Sequence, residues 1–182
     1  MIEGEALVLP PEAAGAAKGY LRVERADEDG LIGGLAEAAA ELCEGFTGQV
    51  LIERGFAETI AAGRAWKRLG RAPVTAIAEV EAIAADGGSE PLSAGAYATE
   101  VDAHGEGWVR LTGPGGERRI RIRYRAGIAG DWPALPAALR HGIVRLAAFF
   151  YTSRVPEGGR SAGPPPAAVT ALWRPYRRIR LS

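Results

Sequence analysis

Residues 120–154, IRIRYRAGIAGDWPALPAALRHGIVRLAAFFYTSR, constrain the fold more than any other stretch of the chain. They read in order as a strand, a glycine turn, a proline-punctuated loop and one long apolar helix. Over 119–125 the alternation is strict. Ile120, Ile122 and Tyr124 share one face, and Arg119, Arg121, Arg123 and Arg125 share the other, the period of a strand with one side buried. The helix opens after Pro136, where a missing N–H costs nothing. Leu139, Ile143, Leu146 and Phe150 form one stripe on it. Ala147, Ala148 and Phe149 widen that stripe, so the helix is expected to be buried on more than one side. The upstream chain is expected to pack against this helix, and the downstream chain to hang from its end.

The upstream chain begins with an extended lead over 1–11, followed by a short helix over 12–21 with Glu12 in its first turn. Asp27 is an N-cap candidate for a stronger helix that ends at Gly48. Leu31, Leu35, Ala38 and Leu42 make its helical stripe, widened by Ile32, Ala39, Cys43 and Phe46. The pattern then turns strand-like. Residues 50–60 are β-prone, with Gly55 as a bulge candidate, and 66–69, 75–84, 91–92, 97–101 and 108–111 follow as short strands. Ile77, Val80 and Ile83 are spaced by three, which fits a helix turn as well as a strand. The turn Asp86-Gly87-Gly88-Ser89 decides for strand. Gly113-Pro114-Gly115-Gly116 is a further turn, and 157–166 read as a Gly/Pro linker before a brief helix over 167–172. The fold class is therefore α+β. It comprises a small α-helical bundle (12–48 and 136–172), an inserted antiparallel β-sheet lobe (49–125) and an extended C-terminal arm (173–182), all within one domain over 1–182.

Composition bounds the function. At 47% hydrophobic and 24% charged residues the 182-residue chain can bury a core, and no apolar run approaches a membrane span. The acidic N-terminus lacks the basic region of a secretory signal. Cys43 is alone, so no intrachain disulfide forms, which favours a cytosolic origin. On the apolar side of its helix, Cys43 reads as a core residue. The only histidines, His104 and His141, have no partners at metal-ligand spacing, and no HExxH, GxSxG, P-loop or dinucleotide fingerprint occurs. No cofactor, no metal and no catalytic residue are expected, and the chain is not expected to be an enzyme.

Charge is distributed unevenly. Residues 1–60 hold 4 basic and 12 acidic side chains, and residues 119–182 hold 12 basic and 2 acidic. Such a split suits copies stacking acidic face to basic face, or two ends neutralising each other within one fold. The arginine face of 119–125 is either a solvated strand face offset by Glu100, Asp102 and Glu106, or a basic surface for phosphate. The last ten residues hold four arginines, two aromatics and no acid. Interface anchors and nucleic-acid contacts both use that combination.

The ordered features resemble one known family. Leu21-Arg22-Val23, then Asp27-Glu28-Asp29 and Leu31-Ile32, match its opening, and 39–48 with Phe46-Thr47-Gly48 match the end of its long helix. Arg71-Ala72-Pro73-Val74, Asp86-Gly87 and Tyr97 match its central block. Tyr124-Arg125-Ala126-Gly127, Pro136, Leu139, Leu146, Tyr151 and Arg154 match its close. The chain thus resembles the head–tail connector, or head-completion adaptor, proteins of long-tailed bacteriophages and gene transfer agents. The resemblance implies a helical bundle with a β insertion. It also implies a ring, usually of twelve copies, under the portal protein in the particle neck, assembled in the bacterial cytoplasm. A further connector, stopper or tail-terminator protein would lie below, and DNA would pass through without sequence-specific binding. On that resemblance the portal-binding residues are Trp173, Arg174, Pro175, Tyr176, Arg177, Arg178, Ile179 and Arg180, and the subunit interface includes Arg121, Arg123 and Phe149. The alternative is a nucleic-acid-binding accessory protein that uses the arginine-rich tail and the 119–125 strand.

Overall fold

The computed structural model describes residues 1–84, 87–113, 119–153 and 165–178. The chain forms two units. A β unit comprises Met1–Ala6 and Ile52–Ile128, and a helical unit comprises Leu7–Leu51 and Ala129–Ser182.

The β unit contains β1 (Ile2–Gly4), β2 (Arg54–Ala61), β3 (Lys67–Arg68), β4 (Val74–Ile83), β5 (Ser89–Pro91), β6 (Tyr97–Val101), β7 (Gly107–Leu111) and β8 (Arg119–Ala126). One sheet has the order β1-β2-β8-β4-β5 and a smaller one β3-β7-β6; every pairing is antiparallel. The predicted alternation of β8 holds: Ile120, Ile122, Tyr124 and Ala126 are buried, and the arginines lie on the more exposed face. In β4 the spacing by three has a physical cause. Two irregularities in its register against β8 each add a residue, so Val74, Ile77 and Val80 stay on one side, opposite Ala126, Tyr124 and Ile122, whereas Ile83, across from Arg119, lies on the other. Gly55, by contrast, is not a bulge, because β2 and β8 pair without a register shift; its N–H instead donates to the Glu5 carboxylate at 2.8 Å. The N-terminal lead is extended at Ile2–Gly4, where β1 adds an edge strand to β2.

Glu58 is buried on β2. It accepts hydrogen bonds from the Tyr124 hydroxyl at 3.0 Å and the Gly70 N–H at 2.7 Å. Burial, and then the Glu58 charge, hold the Tyr124 phenol well above its ordinary pKa. Tyr124→Phe removes a donor from a buried carboxylate and is expected to cost roughly 1–3 kcal/mol in thermal or urea unfolding.

The helical unit contains α1 (Pro11–Leu21), α2 (Asp29–Thr47), α3 (Ala137–Ser153) and α4 (Ala167–Trp173), with 3₁₀ turns at Ala26–Glu28 and Arg174–Tyr176. α3 packs against the other three helices. Leu139, Ile143 and Leu146 are fully buried on it, and Gly142, Val144, Ala147 and Ala148 extend the buried surface beyond one face, as the sequence predicts. Each such large apolar side chain stabilises the fold by roughly 1.5–3 kcal/mol. α2 ends at Gly48, whose φ of 68° is the left-handed cap conformation that glycine adopts without strain. Its start differs from expectation: Asp27 falls in the 3₁₀ turn, and Glu28 holds the cap position with no side-chain hydrogen bond to the helix.

The buried stripe of α2 also differs. Ile32, Ala36, Ala39, Ala40, Cys43 and Thr47 face the core, whereas Leu31 and Leu42 are exposed. The small residues let neighbouring helices approach closely, so the interior takes the alanine side of the helix rather than the leucine side.

Of the predicted features, Asp86, residues 114–116 of the glycine turn, the linker at 157–164 and Arg154 lie outside the described residues.

Candidate assembly surfaces

The arginine face of β8 is largely matched by carboxylates. Arg121 lies 3.7 Å from Glu81, Arg123 lies 3.5 Å from Glu79 and 3.3 Å from Glu81, and Arg125 donates to Glu53 at 2.7 Å. The partners are not the Glu100, Asp102 and Glu106 suggested by the sequence. Strand register sets the choice, because Glu81 sits directly across from Arg121 and Glu79 from Arg123. The Arg125 hydrogen bond, and then one from Thr75, hold the Glu53 carboxyl below the usual carboxylate range.

Asp102 and Glu106 serve elsewhere. Asp102 accepts from the His104 and Glu106 N–H groups, both at 2.9 Å, and from the Trp108 indole at 3.3 Å, which fastens the turn between β6 and β7. Glu106 pairs with Arg68 at 3.9 Å. The Glu106 N–H holds the Asp102 carboxyl below its ordinary pKa, with the Trp108 and His104 donors adding to it. A depressed folded pKa contributes stability that is present above the unfolded value, about 3.9, and is lost as pH falls through the folded value. Asp102→Ala is therefore expected to lower the melting temperature at pH 7, with the gap from the parent closing as the pH drops below about 4.

The C-terminal segment does not leave the fold at Trp173. Trp173 ends α4 fully buried, tilted against Phe46 at 5.9 Å and lying over Gly142 of α3. The Tyr176 carbonyl accepts from the Gln49 side chain at 2.5 Å, and the Arg178 N–H donates to the Thr47 carbonyl at 2.8 Å. Arg177 stacks over the Phe46 ring at 5.6 Å. The extended arm predicted from 173 is, over 173–178, a helix end and a 3₁₀ turn laid along the end of α2. The aromatic area that suggested a docking tail is partly used within the chain's own core. Arg174, Pro175 and Arg177 remain exposed, and Ile179 and Arg180 lie outside the described residues.

Phe149 is half-buried on α3, next to Phe150 at a ring separation of 6.2 Å. Beside it a groove of about 260 Å³ runs over α3, with Tyr20 of α1 on one side and Val169 of α4 on the other. The sequence marked Phe149 through the apolar surplus of α3, but gave no sign of Tyr20, which only the packing of α1 brings alongside.

The groups with reactive chemistry are dispersed. Cys43 is buried, and burial, followed by the charge of Glu44, pushes its thiol pKa up. His104 lies in an exposed turn, and His141 meets Tyr20 edge-on at 6.3 Å. Among the described residues no group of three or more His, Cys, Asp or Glu side chains could hold a metal ion, and no helix is long and apolar enough to cross a membrane.

Solved structures give the comparison that decides the kind of protein. The chain is similar to one from the neck of an empty gene transfer agent particle computed with C6 symmetry, at 27% identity and a TM-score of 0.77. It is similar to one from the virion of a native gene transfer agent particle, at 28% identity and 0.75. It is also similar to one from the neck of a native particle computed with C12 symmetry, at 26% identity and 0.74. Each match covers 100% of this chain and 97% of the other. The fold is that of a gene transfer agent neck protein. No family model matches the chain, and no curated protein does. The neck resemblance read from scattered sequence motifs is borne out by structure from end to end, and so is the α+β class.

Proposed function

We infer that this chain is a structural head–tail connector, repeated as a ring in the neck of a gene transfer agent or phage-like particle. The observation that carries the reading is the match to neck structures over the whole chain at 26–28% identity. Sixfold and twelvefold symmetry in those necks supports a ring, and twelve copies of this chain would follow the C12 case. A portal protein above and a further connector, stopper or tail terminator below are the partners this position requires. DNA passes along the axis without sequence-specific contact.

Exposed Arg174, Pro175 and Arg177 are the portal-facing residues on this reading. Deleting 173–182 would not test it cleanly, since Trp173 belongs to the core. The double substitution Arg174→Glu with Arg177→Glu reverses two surface charges. It is expected to reduce co-purification with the portal at least tenfold while lowering folding stability by only about 1 kcal/mol, mostly through loss of the Arg177 stack on Phe46. Undiminished co-purification would exclude this surface. The matched charges on β8 weigh against a phosphate-binding role for that strand. Affinity of the isolated protein for DNA that falls steeply with salt would instead favour the nucleic-acid reading.

A further inference from the structure

α2 carries an apolar ridge that the described residues of its own unit leave exposed. Leu31 and Leu42 are 43% and 45% exposed, with half-buried Leu35 and Ala38 between them on the same helical line. Exposed Glu41 adjoins the ridge and exposed Asp27 precedes it, whereas Asp29 is paired with Lys18 of α1. The groove over α3 has the opposite character. Tyr20 and Phe149 give it apolar walls over buried Val169, and Thr152 and the cation Arg145 are among its lining residues. The same division runs through the helical unit: 7–51 holds 8 acidic and 3 basic side chains, and 129–182 holds 8 basic and 2 acidic. Ridge and groove are thus two different surfaces of one chain, apolar at the centre and opposite in charge at the rim.

A ring of identical subunits needs such a pair, because each contact joins one patch to a different patch on the next copy. We propose that the ridge of Leu31, Leu35 and Leu42 docks into the Tyr20 and Phe149 groove of the neighbouring copy. The occupant is a second copy because the complementary charge lies within this same chain, and because the similar neck structures were computed with C6 and C12 symmetry. The inference rests on the connector reading and adds to it the contact that closes the ring.

The test uses particles in which a variant is the only source of this chain. Leu42→Cys combined with Tyr20→Cys places one thiol on each surface, and Leu35→Cys combined with Thr152→Cys, Thr152 being another lining residue of the groove, is a second pair. Buried Cys43 stays silent. Treatment with a bismaleimide, then denaturing electrophoresis, is expected to give a ladder of multimers for each pair and only monomer for any single substitution. Only monomer from the pairs in particles that retain the neck ring would overturn the proposal, as would a crosslinked dimer from a single substitution, which signals like-to-like contact. Leu42→Asp provides a check independent of crosslinking. It is expected to fold normally yet fall at least tenfold in neck incorporation, and full incorporation would overturn the proposal. Absence of the unmodified chain from the neck would instead defeat the connector reading, and this inference with it.

Discussion

Gly142→Ala is expected to destabilise the protein, against the usual gain from replacing a helix-interior glycine with alanine. That gain is about 1 kcal/mol in an open helix. Here an added Cβ would stand 2.9 Å from Trp173 Cδ1 and Cε2, and closer still to Nε1. Trp173 is fully buried between α3 and Phe46 of α2 and has little room to retreat. Overpacking of this kind costs roughly 1–3 kcal/mol, and Gly142→Val should exceed that. Trp173→Ala should cost about 3–5 kcal/mol by leaving a cavity. Because the two side chains share one space, the double variant Gly142→Ala with Trp173→Leu should lose less than the sum of its parts. A denaturant-unfolding cycle over the parent, Gly142→Ala, Trp173→Leu and the double variant checks this. Additive losses would show that the indole does not sit over Gly142.

The second large effect is at Ile143. It is fully buried at the centre of α3, where helices from both segments of the helical unit meet. Ile143→Asp introduces a carboxylate with no partner into an apolar interior, a change in the class that costs more than about 4 kcal/mol. The variant is expected to lose the cooperative unfolding transition of the helical unit, as read by circular dichroism. Leu42→Asp is the control, an equally severe change in polarity made on the exposed side of α2. A folded Ile143→Asp variant, or an unfolded Leu42→Asp variant, would reverse the assignment of core and surface.

Those two helices show what was legible in the sequence. α3 was readable because its apolar stripe has no rival around the helix. α2 has two apolar stripes, and the heavier leucine stripe is the exposed one; hydrophobicity alone favours it, while close helix packing selects alanines. β8 was readable from strict alternation, and β4 was ambiguous because two register irregularities hide its period. The acids facing the arginines of β8 could not be read, since they depend on pairing across strands rather than on nearness in sequence. Trp173 showed that the C-terminal segment must bury aromatic area, but not whether the burial would be in this chain or in a partner. The strong charge split between the ends of the chain has a similar resolution. Each unit draws on both ends, and the β unit holds 11 basic and 12 acidic side chains while the helical unit holds 11 and 10. The asymmetry therefore survives within the helical unit, between its two segments.

Charge balance also explains why the arginine strand need not imply DNA binding. Arg121, Arg123 and Arg125 each have a carboxylate within 3.7 Å, so little net positive field is left along that line.

The central claim is that this chain forms the connector ring of a particle neck. Electron microscopy of particles purified from cells that produce the chain, imaged at the junction of head and tail, tests it most directly. A closed ring of this fold is expected between portal and tail, and particles lacking that ring and the tail below it when the chain is deleted. Particles with an intact, tailed neck after the deletion, or density for this chain anywhere other than the neck, would contradict it.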